Sequence, residues 1–98
     1  EDGTSPLHLA AKAGELEVVV LLLDAGAPLE AADYTGATAL HWAAANGCEE
    51  VAKVLLARGA DTSASDHSGA KPLHDAAWGG HSSAARALLK MRAAPDVR

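Results

Sequence analysis

Phenylalanine and isoleucine are absent from the chain, and its aromatic residues number three: Tyr34, Trp42 and Trp78. Few strand formers remain, so helices are favoured, and aromatic bulk cannot fill the core. A second cysteine is missing too. Cys48 stands alone and cannot form an internal disulfide. A lone thiol fits a reducing compartment, so an intracellular setting, cytoplasmic or nuclear, is expected. Basic residues are in deficit, 8 against 13 acidic, for a net charge of −5. No basic stripe is present to neutralise phosphates, which argues against nucleic acid as a partner. Long apolar runs are also missing. The longest, Val18 to Leu23, is far too short to span a bilayer, so no membrane insertion is expected. No signal-peptide pattern is visible, although the chain does not open on methionine and an upstream segment could have been removed.

Alanine is what the chain has in abundance, 24 of 98 residues. So small a side chain lets helices approach closely. With 49% hydrophobic residues the chain suits one small domain, able to bury about two-thirds of its unfolded surface.

Three stretches repeat one another: SPLHLAAKAG from Ser5, TALHWAAANG from Thr38 and KPLHDAAWGG from Lys71. His8, His41 and His74 are 33 residues apart, as are Gly14, Gly47 and Gly80. The same offset aligns Gly3 with Gly36 and Gly69, and Leu22–Leu23 with Leu55–Leu56 and Leu88–Leu89. Eight of the nine glycines fall in register, and Gly79 alone does not. Accidental likeness between alanine-rich helices would not place glycines so regularly. The chain is an internal repeat with units 1–32, 33–65 and 66–98.

Each unit reads as two short helices. Ser5 suits an N-cap, Pro6 the first turn, and Gly14 the left-handed position after a helix. A second helix runs from about Leu16 to Ala25, with Glu15 and Glu17 near its start, where the dipole favours negative charge. Gly26 ends it. The second unit repeats the logic with Thr38, Gly47, Glu49, Glu50 and Gly59. Polar segments 27–37 and 60–70 join the units, with tight turns at Gly36 and Gly69. Helices this short are marginal alone, so the units must stack as a solenoid.

The motifs Ser5-Pro6-Leu7-His8, Thr38-Ala39-Leu40-His41 and Lys71-Pro72-Leu73-His74 resemble those of the ankyrin repeat family. The Leu–Leu pairs, Gly80-His81, Gly26-Ala27 and Gly59-Ala60 match it as well, and the resemblance covers the whole chain. It implies an all-α, ankyrin-type solenoid of helix–turn–helix units with projecting β-hairpin-like loops. It also implies a concave face made by loops and first helices, and a role in binding other proteins. Two departures stand out: Lys71 replaces the capping hydroxyl, and Arg92 replaces the glycine expected after the third unit's second helix. A non-glycine residue held left-handed costs roughly 1–2 kcal/mol, so that end should be frayed or shaped differently.

The repeat argues against chemistry. His8, His41 and His74 would lie one above another, each bonding to the loop backbone of a neighbouring unit. Zinc needs ligands converging at about 2 Å, usually from closely spaced residues, and no such spacing occurs. Ser82 and Ser83 near His81 lack an acid to orient the histidine. Cys48 occupies the turn slot of Glu15 and His81. No phosphate or dinucleotide fingerprint is present. Neither an enzyme, a metal nor a cofactor is expected.

Partner contacts are expected to centre on the aromatics. Tyr34 falls at a loop tip, and Trp78 shares its first-helix slot with Lys12 and Ala45, facing the concave side by resemblance. Trp42 shares the slot of Leu9 and Asp75, and either packs between first helices or leans into the groove. Exposed Tyr and Trp are common binding anchors. Packing against neighbouring first helices is the competing role for Trp78. Further candidates at loop tips are Glu1, Asp2, Thr4, Thr35, Ala37, His67 and Ser68. Lys12, Asn46 and Asp75 join them from first helices. Glu1, Asp2 and Asp75 would favour a basic partner segment.

The expected function is a non-catalytic module, monomeric in isolation, that binds another protein. The alternatives are a spacer segment of a longer array and a regulatory appendage of an enzyme or channel. Val18 to Leu23 is apolar all round, and Val20 sits where later units place Lys53 and Arg86. A terminal unit needs a polar outer face. The natural array is therefore expected to continue upstream, with Val20→Lys tolerated by the fold.

Overall fold

The computed structural model describes residues 3–93. Six helices follow in order: α1 (Pro6–Ala13), α2 (Leu16–Asp24), α3 (Ala39–Ala45), α4 (Glu49–Ala57), α5 (Pro72–Gly79) and α6 (Ser82–Ala93). Among the described residues there is no strand. The first helices of the three pairs begin 33 residues apart, and so do the second. Each helix packs on the other member of its pair, α1, α3 and α5 pack in succession, and α2, α4 and α6 form the layer behind.

Small side chains make this stacking possible. Ala11, Ala43, Ala44, Ala52, Ala76 and Ala84 are wholly buried at the helix contacts, while Leu40, Leu55, Leu88 and Val51 supply the bulk of the core. Leu55 touches only protein, and truncating such a residue to alanine costs about 2–5 kcal/mol.

The repeated histidines bind one unit to the next. The backbone N–H of Ser5 donates to His8 Nδ1 at 3.0 Å, so the ring proton resides on Nε2. That Nε2–H donates to the Ala37 carbonyl of the second unit at 2.9 Å. The second unit repeats the pattern. Thr38 N–H donates to His41 Nδ1, and His41 Nε2 reaches the Ala70 carbonyl at 2.9 Å. Both rings are buried. Ser5 Oγ and Thr38 Oγ1 also accept from the histidine backbone N–H groups, completing each N-cap.

Lys71 has no acceptor to offer at the corresponding position. The N–H of His74 turns to the Lys71 carbonyl instead, at 2.9 Å, and Lys71 Nζ reaches Ser65 Oγ. His74 is exposed, and its Nε2 has no partner among the described residues.

The end of the third unit departs from the others as a longer helix. α6 has 12 residues against 9 in α2 and α4, and it passes through Arg92 rather than turning there. The chain is not held left-handed at Arg92: no described non-glycine residue has positive φ.

Two glycines are explained by close approach. Gly36 has φ of 84°, and a Cβ there would stand 2.9 Å from the His67 backbone nitrogen. Gly79, the one glycine out of register, has ordinary φ. A Cβ on it would meet His81 Cδ2 at 2.5 Å and the Ala45 carbonyl at 3.3 Å.

Candidate functional site

The site is built from the loop before α3 upward. Asp33 Oδ1 accepts from the Thr35 N–H at 2.9 Å, the Thr35 hydroxyl at 2.6 Å and the Ala37 N–H at 3.0 Å. Asp33 N–H donates to the Ala37 carbonyl, and Gly36 N–H to the Asp33 carbonyl, which closes the loop. Asp66 repeats this with Ser68 and Ala70. A backbone bond from His67 N–H to the Thr35 carbonyl at 2.8 Å ties the two tips together. The projecting hairpin-like loops are thus turns closed by side chains, without strand pairing.

The second oxygen of Asp33 leaves the loop. It accepts from Trp42 Nε1 at 3.1 Å. Burial pushes the Asp33 carboxyl up, but the Thr35 hydroxyl, the Ala37 N–H and the Trp42 indole together hold it below its ordinary value. For Asp66, the Ser68 hydroxyl leads the same downward shift. The indole is therefore pinned by a buried carboxylate, and Lys12 Nζ lies over its ring at 5.2 Å from the centroid. Trp42 is half-buried: one part packs on the core, and the rest forms a ridge on the surface.

Clefts open on both sides of that ridge. The larger, about 460 Å³, is walled by Leu9, Lys12, Tyr34, Thr35 and Trp42, with Thr4 at its edge. The smaller, about 210 Å³, runs from Trp42 and Ala45 to Asp66 and Asp75. Burial pushes the Asp75 carboxyl up, and its oxygens accept no hydrogen bond among the described residues.

The expected contact residues divide accordingly. Lys12, Tyr34, Thr35 and Trp42 come together in one cleft, and Asp75 joins Trp42 in the other. Trp42 combines the two roles open to it, packing and lining. Trp78 lines neither cleft, yet it is 82% exposed on α5, which rules out the competing role of packing between helices. Asn46 is exposed and caps α3 by donating to the Trp42 carbonyl at 2.9 Å. His67 is exposed at its tip. Ala37 is almost wholly buried, with its carbonyl engaged by His8 and its N–H by Asp33, and it lines the smaller cleft. Glu1 and Asp2 lie outside the described residues.

Two contributors escaped the sequence reading. Leu9 is an exposed wall of the larger cleft, and its membership in the slot of Trp42 and Asp75 was the available signal. Asp33 organises both loop and ridge. Its recurrence as Asp66, each with a hydroxyl two residues later, pointed to a shared turn but not to Trp42.

Among the described residues no three His, Cys, Asp or Glu side chains gather as metal ligands. His81 Nε2 is engaged with the Ala45 carbonyl at 3.0 Å rather than with Ser82 or Ser83. No described helix is long and apolar enough to cross a membrane. No curated protein matches the sequence. A family model described as "Ankyrin repeats (3 copies)" matches residues 1–66, and one described as "Ankyrin repeat" matches residues 68–98. With the helix pairs, the loop turns and the histidine bonds recurring in the same register, the chain belongs to the ankyrin repeat family.

Proposed function

We propose that this chain is a non-catalytic interaction module that receives a partner protein on the concave face, against loop tips and first helices. Ankyrin repeats are generally protein–protein interaction modules. The observation that carries the assignment to this face is the Trp42 ridge, pinned by Asp33 and flanked by two clefts. An anchor already held in place loses little freedom on binding, and that saving goes into affinity.

Comparative capture from a source lysate tests it. A protein retained by the native chain and by the back-face variant Lys53→Glu, but lost with Leu9→Arg, supports binding on this face. Equal capture by all three would sink it.

One observation favours a second reading, a segment that spaces or extends a longer array. Val18 is 42% exposed, whereas its equivalents Val51 and Ala84 are 2% and 0% exposed because the preceding unit covers them. Leu21 is likewise exposed where Ala87 is buried. The outer face of α2 thus has the character of a surface made for another unit. In that reading Leu9→Arg leaves capture unchanged, while charging the α2 face abolishes it.

A further inference from the structure

The two clefts beside Trp42 carry opposite and unsatisfied charges. On one side stands the Lys12 ammonium. It lies over the indole face but has no carboxylate or other acceptor among the described residues; the ion pairs there are Lys53–Glu49 and Arg58–Asp24. Asp33, which lines the same cleft, is no counter-ion for it, since its oxygens already serve Thr35, Ala37 and Trp42. On the other side stands the half-buried Asp75 carboxylate, without a donor among the described residues. Asp66 beside it is spent on Ser68 and Ala70. Between the two charges lies an apolar ridge.

We propose that this groove selects an extended segment of a partner protein with an acidic side chain at one position, an apolar one two residues on, and a basic one two residues further. The inference rests on the concave-face reading and gives its partner a chemistry.

The spacing follows from the geometry. Lys12 Nζ is 5.2 Å from the Trp42 centroid. Asp75 projects from α5, the helix next to α3, and packed helices lie about 8–10 Å apart. With the two steps in line across the stack, the charges are at most on the order of 13–15 Å apart, a distance covered by about four residues of extended chain. Side chains at every second position of such a chain point the same way. The first, third and fifth of five residues then face the groove together: acid to Lys12, apolar group to Trp42, base to Asp75. Complementary charges on both flanks also fix the direction of the segment, because a reversed chain sets like charges together.

A phage-displayed library of random twelve-residue peptides, panned against the whole chain, tests the proposal. Enriched sequences should carry acid–x–apolar–x–base. With Lys12→Glu the selected peptides should bind about ten-fold more weakly, and replacing their acid by lysine should recover most of the loss. Asp75→Lys should act in the same way on the basic position. Both variants should stay folded and melt cooperatively, since the Lys12 ammonium meets only the Trp42 ring and Asp75 accepts no hydrogen bond among the described residues. Enriched peptides that tolerate both charge reversals, or enrichment without the charge pair, overturn the bipolar segment. If those same peptides are weakened by Leu9→Arg and Tyr34→Ala, the concave-face reading survives and only its chemistry falls. If they ignore those variants too, or if no peptide enriches, both fall.

Discussion

Trp78 presents nearly its whole ring to solvent, at 82% exposure, from a helix that gains nothing from it. Removing it should leave stability within about 0.5 kcal/mol of the native chain, as for other surface positions without partners. If Trp78 anchors the partner, Trp78→Ala weakens binding by roughly thirty-fold, the equivalent of about 2 kcal/mol. Thermal melts and a binding titration on one sample separate the outcomes, and an unchanged affinity removes Trp78 from the interface. Asp33 lies at the opposite extreme, buried and saturated with donors. Its folded carboxyl is held below the ordinary value, which is about 3.9 for an unfolded aspartate. The unfolded chain thus binds the proton first as pH falls. The stability Asp33 contributes is complete above about pH 4 and is lost as pH drops through the lower folded value. Asp33→Asn should lower stability at neutral pH by about 1.5–3 kcal/mol and flatten the acid limb of a pH-dependent melt. A limb as steep as the native one would show that Asp33 does not set it. Asp66 keeps part of the slope in either case.

At the scale of helices and loops, most of the architecture was legible. Capping residues and glycines recur at a fixed interval, and the observed helices begin where those signals stand. Three things were not legible, each for a physical reason. The rotation of α2 was one, because Val18 to Leu23 is apolar all round and only Glu17 and Asp24, at its two ends, mark the exposed face that Leu21 shares. Val20, expected to face outward, is half-buried, and Val18 and Leu21 are the exposed pair. The bond from Trp42 to Asp33 was another, since it spans nine residues and two elements and leaves no periodic trace. Gly79 was the third. It belongs to no repeat position, and its reason is the ring of His81 lying against it. That contact sets up a test by paired substitution. Gly79→Ala should destabilise the native chain, because the new methyl displaces His81 from its bond to Ala45. In a His81→Ala background the severe contact is gone and only the Ala45 carbonyl at 3.3 Å remains. The same change should then be far less costly, between neutral and stabilising by about 1 kcal/mol through helix propensity. Equal effects in both backgrounds would mean that the ring does not exclude a side chain there.

For the whole molecule, the two outer faces of the stack are unequal. The second helix of the third unit carries Arg86 and Lys90 toward solvent, whereas that of the first presents Val18 and Leu21. Leu21→Lys, rather than the Val20→Lys suggested by the repeat slot, should raise the solubility of the chain with a stability change within about 0.5 kcal/mol. A marked fall in melting temperature would place Leu21 in the core and remove the argument for a covering unit. Repeat stacks hold together through neighbour contacts alone, and here those contacts run both ways: Arg58, His67 and His81 reach back to Asp24, Thr35 and Ala45. His8 reaches forward to Ala37 and His41 forward to Ala70, while neither ring reaches back. Each unit therefore registers the state of its successor through the cap of its own first helix. When a later loop opens, the histidine before it loses its acceptor and the helix it caps is loosened; by reciprocity, a disturbed cap loosens the loop after it to the same extent. Two units joined by one such bond share its loss, so a disturbance at either end of the stack is handed along it one helix start at a time.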